Sequence, residues 1–177
     1  NDTVTPFIEV DPVLKEVDEH FGGDYLNEET ILKMARDKGL STAAIGKVGP
    51  TLIFDHTDYG KTTIVIDDAT GGKNGVPISD EMKDALAKAN LPTTTPSRGD
   101  NGKAGDAKTP GTTVANVAQQ AWMADVATKV VLPMFKARNK PFVLVFWSRD
   151  PDGSQHNTGD SLNTITPGIN GPTSMAG

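Results

Sequence analysis

The sequence predicts an α/β domain, a partial three-layer sheet with flanking helices, rich in loops. Three observations predict it. Segments with helical character alternate with short β-rich runs, as in layered α/β folds. One late run, "PFVLVFWS" (Pro141 to Ser148), is continuous, β-branched and aromatic, like a strand covered on both faces. Eighteen glycines and 12 prolines among 177 residues supply many turns.

Taken in order, residues 1–26 have no clean period and read as irregular, with a short helix around Pro12 to His20. "NEETILKMARDKGL" reads as a helix. Asn27 is placed as its N-cap, and Glu28 and Glu29 lie near the positive end of its dipole. Leu26 and Ile31 suit a hydrophobic staple, and Gly39 a left-handed C-terminal residue. "STAAIGKV" then reads as a strand, and "KTTIVIDDATGG" as another, β-rich from Thr63 to Ile66 and ended by Gly71-Gly72. "SDEMKDALAKAN" reads as a helix capped by Ser79 and stopped before Pro92. Residues 91–113 are almost devoid of large apolar groups and read as a mobile loop or insertion. From Val114 to Asn139 the pattern is helical, with Val114, Val117, Ala118, Ala121, Trp122 and Val126 on one broad face. Pro133 predicts a kink or a break. "PFVLVFWS" is the last strand, and the segment from Leu162 is turn-rich and irregular. No internal repeat is visible, and the chain reads as a single partial domain over 1–177.

Composition narrows the function. With 17 basic and 23 acidic residues the net charge is −6, which argues against a nucleic-acid groove. The absence of cysteine excludes disulfides, thiolate zinc sites and cysteine nucleophiles. No apolar run approaches the roughly 20 residues needed to span a bilayer. With neither signal peptide nor initiating methionine, the chain reads as starting at an internal point.

The chemistry concentrates in "FWSRDPDGSQHNTGD" (Phe146 to Asp160), where an apolar strand gives way to a polar loop. In open α/β sheets, ligands gather outside the carboxyl ends of strands. Asp152 and His156 are four apart, so a helical turn would put both on one face, able to grip one ion. Carboxylate plus imidazole suits zinc better than magnesium or calcium. Gly153 would let the backbone turn beside the ion. The same residues also suit a plain surface turn. An EF-hand does not fit, because Gln155 and Ser161 stand where its glycine and bidentate glutamate belong.

Two stretches resemble the alkaline phosphatase superfamily. "DPDGSQHNTG" resembles the Asp-x-x-x-His loop of its type I phosphodiesterase and nucleotide pyrophosphatase branch. "ILKMARDKGLSTAAIGKV" is similar to a segment shared with sulfatases, where a helix ends in glycine and a Ser-Thr-Ala-Ala strand leads to Gly-Lys. Their order and interval match too. The resemblance implies an alkaline phosphatase-like fold and an enzyme with two metal ions, usually zinc. A serine or threonine attacks phosphorus, and water then hydrolyses the covalent intermediate. It makes Asp152 and His156 ligands of the water-activating ion, and Lys47 a group that holds the anion. It also implies export to the periplasm or the extracellular space. Gln155 departs from the commoner glycine, which bears on the branch.

No nucleophile motif is visible in residues 1–26, and the family's later Asp-His-Gly motif is not found. Of the three histidines, His20 and His56 fall at the wrong places in the family order. The expectation is an internal piece of a larger phosphoester hydrolase, inactive alone, whose partners are a small phosphoester and the rest of the parent chain. Two alternatives stand beside it: a non-catalytic insertion or interaction module, and a sulfatase-like hydrolase fragment.

Other signals read as structure. "GKTT" (Gly60 to Thr63) is not a phosphate-binding loop, because Asp55 stands where the earlier glycine belongs and a strand follows. "FDHTDYG" reads as a polar loop before a metal site, although it could touch substrate if it lay near the cleft. Lys47 can equally be a solvated lysine after a strand. Trp122 and Trp147 read as core or interface residues, and Asp67 and Asp68 as turn residues. Ser154 and Thr158 have no base arranged nearby in sequence.

Overall fold

The computed structural model describes residues 11–72, 75–96 and 117–148. Helix α1 spans Asp11–His20, α2 Ile31–Asp37, β1 Ser41–Gly46, α3 Val48–Ile53 and β2 Ile64–Asp67. Then come α4 (Asp80–Lys88), α5 (Val117–Asp125), a π-helical stretch (Val126–Val131), α6 (Leu132–Ala137) and β3 (Phe142–Trp147). The three strands form one parallel sheet in the order β2-β1-β3. The α/β class is as the sequence predicts, and the sheet is small. No helix among the described residues is long and apolar enough to cross a membrane.

Helices cover both faces of the sheet. On one face Ala43, Ile45 and Ile66 meet Met82 and Leu86 of α4, and Met123, Val131 and Phe135 of the α5–α6 segment. On the other, Val65 packs with Leu14 of α1, Leu52 of α3 and Val76, with Tyr25 alongside. Strand β1 is central, and all six of its residues are buried. Its small side chains let both helical layers come close.

The local signals decide the ends of the helices, with one correction. Helix α2 begins at Ile31, not at Asn27. Thr30 is its N-cap, with extended dihedrals and a hydroxyl that accepts from the Lys33 amide at 3.3 Å. Glu28 and Glu29 therefore lie outside the helix, and Ile31 is exposed rather than stapled. Both residue types can cap, and the apolar pattern of Leu32 and Ala35 favours the later start. Gly39 has φ +79°, with Leu40 N–H donating to Ala35 O and Gly39 N–H to Arg36 O, the two bonds of a Schellman motif. Helix α4 is as expected at both ends. Ser79 accepts from Met82 N–H at 3.1 Å, and Asn90 (φ 56°) closes the end with Leu91 N–H on Leu86 O.

Other expectations need amendment. The chain after Lys47 folds into α3, a short helix that no capping or periodicity signal in "VGPTLI" announces. Pro133 does not break the helix. It lacks an N–H, and the turn before it widens, so that Leu132 N–H reaches Ala127 O five residues back. Ala118 is exposed, while Trp122 and Val126 are buried as expected; Val114 lies outside the described residues. Strand β3 is not fully buried. It flanks β1 on one side only among the described residues, leaving Phe142 and Trp147 at 40% and 48% exposure. Of the 91–113 tract, Leu91 packs against the core and Thr95 is buried, while residues 92–94 are exposed; 97–113 lie outside the described residues.

Candidate functional site

The carboxyl edge of the sheet is built by three aligned strand ends. Gly46 of β1 stands opposite Asp67 of β2 and Trp147 of β3. Gly46 has φ +144°, and a Cβ there would fall 1.9 Å from the Trp147 carbonyl oxygen. No other residue fits without parting β1 from β3. Lys47 follows at once, half-buried, as the N-cap residue of α3. Its carbonyl accepts from both the Thr51 amide (3.0 Å) and the Thr51 hydroxyl (2.9 Å).

Asp67 ends β2 fully buried, as the turn residue the sequence suggests. Its Oδ1 accepts from Ala69 N–H at 2.8 Å and from the Thr70 hydroxyl at 3.1 Å. The Thr95 hydroxyl donates to Asp67 O at 2.7 Å, and Thr95 N–H to Thr70 O. This end of β2 is thereby tied to the segment after α4. Trp147, at the end of β3, lies 6.2 Å from the Phe54 ring. Trp122 is in the core, its indole N–H donating to Pro92 O at 3.0 Å.

The sequence-predicted ligands Asp152 and His156 lie outside the described residues, as do Ser154 and Thr158. Lys47 is at the strand end where the sequence put it. The chain leaves β3 through Ser148, next to the β1 end that carries Lys47.

At the opposite, amino edge lie Asp55 and Asp58 of "FDHTDYG", both engaged with protein groups. Asp55 is 2% exposed and takes a two-point grip from Arg36: Nε on Oδ2 and Nη2 on Oδ1, both 3.1 Å. Its Oδ2 also accepts from the Thr63 hydroxyl at 2.5 Å, and Thr63 Oγ1 lies 2.7 Å from Thr42 Oγ1. Asp58 accepts from the amides of Thr62 (2.6 Å) and Thr63 (2.8 Å). The Asp55 hydrogen bond, followed by the fields of Asp55 and Asp58, raises the Arg36 pKa against the lowering effect of burial. His56 turns elsewhere, its Nε2 3.1 Å from Asp24 Oδ1 and its ring 4.6 Å from that of Tyr25. Burial first, then Asp18 and Tyr59, push the Tyr25 phenol up to about 12.

This segment is a loop, and its Asp55, His56 and Asp58 are buried, whereas Tyr59 is exposed. Among the described residues, no group of three or more histidines, aspartates and glutamates could hold a metal ion. The sequence reading missed the Arg36–Asp55 pair. Its signal was an arginine in the last turn before one strand and an aspartate shortly before the next. Compared with family models, curated proteins and solved structures, the chain matches none of them.

Proposed function

We propose that the chain serves a metal-dependent phosphoester hydrolase of the phosphodiesterase and nucleotide pyrophosphatase-like kind, contributing metal ligands and an anion-holding lysine but no nucleophile. One observation carries the reading. Gly46 stands opposite Trp147 in a parallel pair, so Lys47 and the chain running on toward Asp152 and His156 leave neighbouring strands at the same edge. That edge is where α/β sheets hold ligands. The donor set also fits: one carboxylate and one imidazole suit zinc. When bound, zinc supplies Lewis acidity toward a phosphoryl oxygen. The Lys47 ammonium offers that oxygen a charge-assisted hydrogen bond. In the parent enzyme two zinc ions are expected, with the remaining ligands coming from outside this chain.

The test is zinc titration of the chain by calorimetry, with Asp152→Asn and His156→Ala variants. Binding is expected to be weak, because two ligands leave a tetrahedral site half built. Each substitution should abolish it. Zinc affinity indifferent to both substitutions would refute the assignment.

A further inference from the structure

We propose that Thr51 is a positioning residue for Lys47, its hydroxyl fixing the root from which the lysine reaches an anion. The inference rests on the anion-holding role of Lys47 just proposed.

Thr51 is 1% exposed, on the third residue from the end of α3. A threonine that donates to the carbonyl four residues back adds little to helix stability and tends to bend the helix. Valine would fill the same space without a buried polar atom. The position is explained by what the hydroxyl grips. The carbonyl belongs to Lys47, whose ψ of 131° turns the chain from strand into helix. Amide and hydroxyl converge on this one oxygen at 3.0 and 2.9 Å and occupy both its lone pairs. On the other side of Lys47, Gly46 is pressed against the Trp147 carbonyl. The Lys47 backbone is thus held from before and after, and its Cα–Cβ bond has a fixed direction. A lysine stem has many rotamers, so an anchored root narrows the volume its ammonium explores. The hydroxyl acts on the anion only through Lys47.

Inorganic phosphate is the probe, titrated into the full chain with the Lys47 side-chain methylene resonances followed by NMR. Thr51→Val should weaken phosphate binding about two- to tenfold, the range one hydrogen bond supplies. Thr51→Ser should restore it, and the urea midpoint of Thr51→Val should be unchanged or higher. In a Lys47→Met background, Thr51→Val should change nothing further, with binding then read from backbone amides of residues 46–51. Thr51→Ala is the second hydroxyl-free variant, should valine disturb the fold. Equal phosphate affinity with and without the hydroxyl overturns the inference while leaving the role of Lys47 intact. So does an equal loss in the Lys47→Met background. No phosphate-dependent shift in the unsubstituted chain removes the anion site itself, and the inference with it.

Discussion

Replacing Asp55 by alanine should be among the most damaging changes in the described residues, and the structure sets the scale. The substitution removes both Arg36 contacts and the acceptor of the Thr63 hydroxyl. Breaking a buried pair by deleting one partner costs about 3–5 kcal/mol, mostly through the group left behind. Two features place this case at the lower end. The Arg36 side chain is 21% exposed and can recruit water, and Asp58 Oδ1 remains 3.5 Å from its Nε. We therefore expect a loss of about 3 kcal/mol, or roughly 6–12 °C in Tm for a domain of this size. Urea unfolding followed by the fluorescence of buried Trp122 measures it. The double variant with Thr63→Val should lose less than the sum of the single losses, because the two side chains share a bond. A loss below about 1 kcal/mol, or strict additivity, would show that the network contributes little beyond surface charge.

Other expectations follow from the same geometry. Gly46→Ala should cost about 2 kcal/mol or more, from positive-φ strain plus the contact with the Trp147 carbonyl, and should weaken amide protection in β3 first, read by hydrogen exchange. Ser79→Ala should cost about 1 kcal/mol through loss of the α4 cap, seen as a lower urea midpoint. Tyr25 has a buried hydroxyl with no hydrogen-bond partner among the described residues, so Tyr25→Phe should leave the urea midpoint unchanged or raise it. Its phenol ionises at 10.0 unperturbed and at about 12 in the fold. The neutral form is the one the fold favours, so this contribution to stability is present below pH 10 and lost as pH rises through about 12. Absorbance titration near 295 nm should show the delayed ionisation, and Tyr25→Phe should remove the Tyr25 share of it, leaving that of Tyr59, whose phenol is also pushed up, by burial first and then by Asp18 and Asp67.

What was legible in the sequence was what short-range chemistry decides. Ser79 followed by an acidic first turn, Gly39 at a helix end and the β-rich run through Ile66 each carry their structure locally, and each is where it was expected. Failures came where a distant partner decides. Asn27 and Thr30 are both competent caps, and the burial of Leu32 and Ala35 against the sheet chooses between them. β3 reads as a doubly covered strand, but exposure depends on neighbours, and no letter of "FVLVFW" says what lies beside it. Asp55 and Asp58 look like surface loop residues until Arg36 arrives from α2, on the other side of β1 in the chain. For the site, Lys47 at a strand end was legible because Gly-Lys directly follows a β-rich run, whereas Asp152 and His156 lie outside the described residues.

The strand order has a consequence for how the chain assembles. Ala43 meets Ile64 after closure of a stretch of about 20 residues, whereas Ser41 meets Phe142 only after about 100. The nearer pairing costs less entropy and is reinforced by Arg36 and Asp55 from flanking segments, so β1, α3 and β2 form the natural nucleus and β3 is the late arrival. We expect φ-values that are high at Ile66 and near zero at Val145; the reverse order would mean that assembly starts from the hydrophobic third strand instead.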